Sequence, residues 1–134
     1  MPQGIETLTG TTKTRAVSRG PRLPPEIKAA VDAIDDRKGE QVIVLDLRGL
    51  TDATDFFIIA SGTSDAHVRG IADGVLRAMQ ASGHRAYHTE GLTTGRWVLI
   101  DYVDFVVHLF HPETRAFYRL ERLWQDAPAI RPGA

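Results

Sequence analysis

The chain contains no cysteine among its 134 residues. This absence excludes a disulfide framework, a thiolate nucleophile and a cysteine zinc site. Long apolar runs are also absent, since the longest, such as VIVL and FFIIA, are far too short to cross a bilayer. The N-terminal segment has no apolar stretch of the kind that directs export. We therefore expect a cytoplasmic protein without a membrane anchor.

Composition and charge set the class of the protein. Hydrophobic residues make up 43% and charged residues 25%, and the length suits one globular domain. Residues 1–23 carry four basic and one acidic residue, whereas residues 24–130 carry eleven basic and sixteen acidic residues, a net charge of −5. Nucleic-acid binding needs clustered Lys and Arg, so this domain suits a basic protein partner better.

The two ends of the chain lack helical or strand periodicity. We interpret residues 1–23 as a flexible basic tail that is dispensable for folding, with a weaker alternative in which it touches RNA after docking. Residues 127–134 are interpreted as a flexible C-terminal tail. The domain itself is expected to span residues 24–126.

Local patterns predict an α/β domain. A first helix is predicted at roughly 25–38, with Gly39 as the residue that ends it. Two strands, QVIVLDLRG and FFIIAS, precede a long helix that Ser64 caps and that ends near Gly83. RAYHTE is a weak strand, WVLID and FVVHLF form an antiparallel hairpin, and Pro112 begins a final helix. We expect a single mixed sheet of about five strands with helices packed on it.

One turn could carry chemistry. The segment SGTSD, residues 61–65, lies at a strand-to-helix junction, where backbone N–H groups can hold an anion. In nucleotidyltransferases a comparable turn is followed, on a strand, by a pair of aspartates that bind magnesium. Here Asp65 lacks a second carboxylate two residues later, and Asp101 and Asp104 flank another turn. A capped turn into a helix is the favoured interpretation, and we expect no enzymatic activity.

The five histidines lack the spacing of a metal site. His108, inside FVVHLF, is interpreted as a core or sheet-face histidine with a satisfied hydrogen bond. We expect no metal and no cofactor.

Aromatic residues lie beside arginines in the C-terminal half. Trp97 follows Arg96, and Tyr118 shares its predicted helix with Arg115 and Arg119. This composition is typical of interface hot spots, although a well-filled core explains aromatic residues equally well. Both interpretations stay open at this point.

Several blocks between Ile27 and Trp124 resemble a known family in order and spacing. They are D-x-x-D-F-F-I-I-A-S-G-T-S with a following H-V-R-x-I-A-D, then E-G, W-V-L-x-D, V-V-H-x-F and R-x-x-Y-x-L-E-x-L-W. Together they are similar to the ribosomal silencing factors, also called Iojap-like proteins. The resemblance implies a nucleotidyltransferase-like fold without catalysis, and a homodimer. It also implies binding to the large ribosomal subunit through ribosomal protein L-fourteen. A factor bound there would block subunit joining and repress translation under starvation or in stationary phase.

The resemblance also implies a partner face, carried over by position. Its predicted residues are Trp97, Val98, Leu99, Tyr102, Arg115, Tyr118 and Glu121. The family often has glycine where this chain has Val103, so the turn between the hairpin strands is a point of departure. The alternatives are a nucleotidyltransferase-like nucleotide-binding protein or enzyme, which would use residues 61–65, Asp101 and Asp104, and a general scaffold dimer.

Overall fold

Helices and strands alternate along the chain in nearly the predicted order. The computed structural model describes residues 23–118, 122 and 124–132. The helices are α1 (Pro25–Asp36), α2 (Asp65–Ala81) and α3 (Pro112–Tyr118). The strands are β1 (Glu40–Asp46), β2 (Phe56–Ser61), β3 (His88–Glu90), β4 (Trp97–Asp101), β5 (Phe105–Phe110) and β6 (Ala129–Ile130).

The six strands of the described residues form one sheet in the order β3-β4-β5-β2-β1-β6. Strands β2 and β5 are parallel, and every other neighbouring pair is antiparallel. The prediction of a mixed-sheet α/β domain is therefore confirmed. The sheet has one strand more than expected because Ala129–Ile130, placed in the predicted C-terminal tail, pairs with the outer edge of β1.

Helix α1 ends earlier than predicted. Its predicted apolar residues are buried, but Arg37 is already the C-terminal cap and Lys38 adopts the left-handed conformation, with φ of 65°. Gly39 is therefore not the left-handed residue. It is required by close packing, since a Cβ at Gly39 would lie 2.3 Å from Cγ2 of Ile34.

Helix α2 begins and ends as predicted. The Ser64 hydroxyl accepts a hydrogen bond from the backbone N–H of His67 over 3.0 Å, which satisfies one free donor of the first turn. Gly83, with φ of 88°, lies just beyond the end of the helix. The buried residues repeat every three or four positions, so one face of α2 packs on the sheet.

The two faces of the sheet differ in how they are covered. Helices α1 and α2 cover one face and enclose the larger core, which includes Ile58, Val98 and Val107. A smaller cluster lies on the opposite face, around Phe110, and the C-terminal segment with Trp124 packs against it. This second face, which we call the open face, is where the candidate site lies.

A candidate docking surface on the open face of the sheet

A groove of about 600 Å³ crosses strands β2, β4 and β5 on the open face. The residues that line this open-face groove are Ala53, Thr54, Phe57, Tyr87, Leu99, Asp101, Val103, Val106 and His108. Two of them, Tyr87 and Val103, are 76% and 55% exposed. The groove therefore has an apolar floor on the sheet and large apolar side chains exposed at its rim.

Trp97 lies next to the groove on the same strand as Leu99. Strand alternation places both side chains on the open face, and the Trp97 indole is half-buried. Its Nε1 donates a hydrogen bond to Nδ1 of His108 over 3.1 Å, and its ring packs on Phe110 with ring centres 5.0 Å apart. The indole is thus held in a fixed orientation and forms a firm wall beside the groove.

His108 is a buried polar residue that lines the groove. It is 4% exposed, and its burial lowers its pKa to about 4, so the ring is neutral near pH 7. Because Nδ1 accepts from Trp97, the ring proton belongs on Nε2. In the described part of the chain that Nε2 has no hydrogen-bond partner. The predicted sheet-face histidine is therefore correct in position, but only one of its two nitrogens is paired.

Two of the predicted contact residues have buried side chains. Val98 is fully buried and Tyr102 is 9% exposed, and both pack in the core under the helices. The Tyr102 ring stacks on Phe105, and burial raises the pKa of Tyr102 to about 12. In this conformation these two side chains support strand β4 and its turn from behind, and the contact predicted for them stays a prediction.

Arg115 connects helix α3 to the sheet. Its Nη1 donates to the carbonyl oxygen of Gln41 over 2.8 Å and to Oγ of Ser61 over 2.9 Å. Gln41, with φ of 51°, lies at an irregularity in the pairing of β1 with β2. The guanidinium therefore positions α3. The predicted Glu121 and the side chain of Tyr118 lie outside the described residues.

The hairpin turn at the end of the groove is strained. Val103 has φ of 74°, and the N–H of Asp104 donates to the carbonyl oxygen of Tyr102 over 2.9 Å, which makes a γ-turn of the rarer kind. This conformation is energetically unfavourable for a β-branched residue such as valine. The turn is held by Asp101, whose Oδ1 accepts from the N–H of Val103, and by Thr54, whose hydroxyl donates to the Val103 carbonyl.

In the turn of residues 61–65, groups that could bind an anion form hydrogen bonds within the chain instead. The N–H of Thr63 donates to Nδ1 of His67 over 2.8 Å, and Nε2 of His67 bonds the carbonyl oxygen of Arg37 at the same distance. The Ser64 hydroxyl caps α2. The junction is therefore a capped turn in which Thr63 and Ser64 both bond to His67, as the sequence predicts.

The carboxylates of the alternative enzyme interpretation do not meet. Asp65 follows the end of β2, whereas Asp101 and Asp104 precede the start of β5, which runs parallel to β2. They therefore lie at opposite ends of strands six residues long, about 17 Å apart along the sheet. No group of three metal-binding side chains occurs among the described residues. Within the same residues, no helix is long and apolar enough to span a membrane.

The residues missed by sequence reasoning are those on the neighbouring strands. Phe57, Val106 and Tyr87 line the groove but were assigned to core strands or to a weak edge strand. The available signal was the alternation in FFIIAS and FVVHLF, which sends every second side chain to the opposite face.

Comparisons with known proteins identify the family. The family model described as ribosomal silencing factor during starvation matches residues 21–133. Ribosomal silencing factors from Halalkalibacterium halodurans and Bacillus subtilis are 44% and 40% identical, over 78% and 76% of this chain and 89% and 86% of theirs. A mouse protein named mitochondrial assembly of ribosomal large subunit protein 1 is 28% identical, over 74% of this chain and 45% of its own length.

The fold agrees with a solved relative. A crystal structure of a protein from Chromobacterium violaceum has a TM-score of 0.74 and 33% identity, and the match covers 81% of this chain and 91% of that one. The close relatives are named as silencing factors and not as enzymes. The chain therefore belongs to the ribosomal silencing factor family.

Proposed function

We propose that this protein represses translation by docking its open-face groove on ribosomal protein L-fourteen of the large ribosomal subunit. The bound protein then sterically prevents the small subunit from joining, in the cytoplasm of starved or stationary-phase cells. The observation that carries the proposal is the groove itself, an apolar floor with exposed Tyr87 and Val103 at its rim. Exposed apolar patches of this kind mark interaction sites.

The charge of the domain supports a basic partner. Residues 24–130 carry a net charge of −5, and Asp101 is the one acidic residue that lines the groove in the described part of the chain. Ribosomal proteins that contact RNA are basic as a class, so the two surfaces attract each other. The name of the mouse relative refers to the large subunit, which agrees with the proposed side of docking.

The proposed contact set is narrower than the predicted one. Trp97 and Leu99 are retained as contacts because their side chains lie on the open face. Arg115 acts indirectly, by holding α3 on the sheet. Tyr118 and Glu121 stay predicted contacts.

Two further parts of the proposal come from the resemblance. We infer a homodimer and a nucleotidyltransferase-like fold that carries no catalytic activity. A minor contact of the basic tail, residues 1–23, with ribosomal RNA is inferred from the charge of that tail alone. The internal pairing of His67 in the turn of residues 61–65 and the separation of Asp65 from Asp101 both favour the absence of nucleotidyl transfer.

Cosedimentation with separated ribosomal subunits tests the proposal. Leu99→Glu places a charge on the groove floor, and Leu50→Glu makes the same change at a residue that is 46% exposed and outside the groove lining. We expect the wild type and Leu50→Glu to cosediment with large subunits and not with small ones. Leu99→Glu should lose this association while it keeps a cooperative thermal transition. Retained binding by a folded Leu99→Glu variant would place the partner elsewhere.

A further inference from the structure

We propose that the open-face groove is a receptor for one lysine or arginine side chain of the partner, with the Asp101 carboxylate as the counter-charge. This inference rests on the proposed docking function, because it specifies what the groove recognises. It assigns to Asp101 a specificity role that the predicted contact set did not include.

The position of the Asp101 carboxylate is fixed by the hairpin turn. Its Oδ1 accepts a hydrogen bond from the backbone N–H of Val103 over 2.7 Å. Its other oxygen, Oδ2, has no hydrogen-bond partner within the described residues. The γ-turn around Val103 is itself held by the Thr54 hydroxyl. The free oxygen is therefore presented by a rigid backbone at the end of the groove floor, and a partner donor meets it with little loss of side-chain entropy.

The floor in front of the carboxylate suits the methylene groups of a long basic side chain. Phe57, Leu99 and Val106 line it with apolar surface, and Tyr87 stands at the rim. Lysine and arginine side chains bury their stems along apolar surface while the charged end meets an acceptor, and arginine also packs on aromatic rings. An apolar channel that ends in a fixed carboxylate matches this chemistry.

The surrounding charges favour a cation and disfavour a phosphate. None of the groove-lining residues in the described ranges is a lysine or arginine, and His108 is neutral near pH 7. Glu90 lies opposite Leu99 across β3 and β4 and therefore faces the same side, where its carboxylate lies 2.8 Å from Nε2 of His88. An RNA backbone would bring negative charge to these carboxylates, so the groove fits a basic protein segment instead.

A pair of charge-neutralising variants tests the inference. Asp101→Asn removes the charge but keeps an oxygen that accepts from the Val103 N–H, so the turn is preserved. Asp104→Asn makes the same change in net charge at an exposed residue outside the groove lining. The probe is purified large ribosomal subunits, with binding measured at low and at high salt. We expect Asp101→Asn to bind about fivefold more weakly at low salt and to lose part of the salt dependence, while Asp104→Asn matches the wild type.

The outcomes separate this inference from the docking proposal. If Asp101→Asn binds like the wild type with an unchanged salt dependence, the basic-side-chain receptor is wrong while docking stands. An equal loss in both variants also overturns it, because net charge and not a local site would then be responsible. If the wild type itself does not bind large subunits, the docking proposal fails and the inference falls with it. Asp101→Ser, which keeps a smaller acceptor for the turn, replaces Asp101→Asn if the latter does not melt like the wild type.

Discussion

The indole Nε1 of Trp97 donates a hydrogen bond across neighbouring strands to Nδ1 of His108, over 3.1 Å. This bond fixes the neutral tautomer of the histidine and the orientation of the indole on Phe110. It joins the floor of the open-face groove to the aromatic cluster beside it. The shape of the proposed docking surface therefore depends on a buried polar pair.

Trp97→Phe should be more destabilising than its lost volume suggests. The variant leaves Nδ1 of buried His108 without its donor, which costs about 1–3 kcal/mol of unfolding free energy. The control is Trp124→Phe, since Trp124 packs in the same cluster, with its ring centre 6.1 Å from that of Phe57. Urea unfolding followed by circular dichroism compares the two variants. Equal losses would mean that the hydrogen bond contributes nothing beyond packing.

The stability of the protein should fall as the pH is lowered from about 6.5 to about 4. The pKa of His108 is lowered from its ordinary value of 6.5 to about 4 by burial. Between these pH values His108 is protonated in the unfolded chain and neutral in the folded chain. The free energy of unfolding therefore falls by up to about 3 kcal/mol, and this group causes no further loss below pH 4.

Unfolding free energies of His108→Gln across this pH range check that prediction. The variant should show a shallower fall than the wild type, because it removes the group that titrates differently in the two states. His88→Gln, at an exposed histidine whose Nε2 lies 2.8 Å from Glu90, serves as the matched control and should follow the wild type more closely. Parallel curves for His108→Gln and the wild type would contradict the assigned cause.

Val103→Gly should raise the thermal stability. Glycine adopts a φ of 74° without the steric clash of a β-branched residue, so the variant relieves about 1–3 kcal/mol of backbone strain. This gain outweighs the larger conformational entropy of glycine in the unfolded chain, which costs about 1 kcal/mol or less. Val103→Ala, which keeps a Cβ, should gain much less. Differential scanning calorimetry of the two variants gives the comparison, and a lower melting temperature for Val103→Gly would show that the side chain contributes more than the strain costs.

Arg115→Met should destabilise the C-terminal part of the domain. Nη1 of Arg115 donates to both the carbonyl oxygen of Gln41 and the hydroxyl of Ser61, and the variant removes this donor. We expect the free energy of unfolding to fall by about 1–3 kcal/mol. Arg77→Met is the control, since its pair with Asp73 lies on the exposed side of α2 and contributes about 0.5 kcal/mol or less. Hydrogen exchange of the amides in β1 and α3 locates the effect. Similar losses in the two variants would argue against a positioning role for Arg115.

Elements with a strong local signal were predictable from the sequence. Helix α2 was defined by its apolar period, by Ser64 and by Gly83, because caps and amphipathic spacing depend on nearby residues. Strand β6 was not predictable, because two residues, Ala129–Ile130, carry no period and pair only with a distant strand edge. The sequence predicts Gly39 as the left-handed residue after α1, whereas Lys38 has the positive φ and Gly39 packs closely against Ile34.

For the candidate site too, some features were predictable from local sequence and others depended on tertiary packing. Trp97 and Val98 were both predicted to contact the partner, although neighbouring residues of a strand point to opposite faces, so alternation alone could have separated them. Which face stays open could not be predicted from local sequence, because it depends on where α1 and α2 pack. The strain at Val103 also needed the structure, since the positive φ follows from the turn that Asp101 and Thr54 hold.

Subunit joining measured by light scattering tests the central proposal most directly. Purified small and large subunits are mixed after the large subunits have been incubated with the wild type, Leu99→Glu or the matched Leu50→Glu variant. If the open-face groove docks on the large subunit, the wild type and Leu50→Glu inhibit the rise in scattering and a folded Leu99→Glu does not. Undiminished inhibition by Leu99→Glu, or joining that proceeds normally with the wild type, would contradict the proposed function.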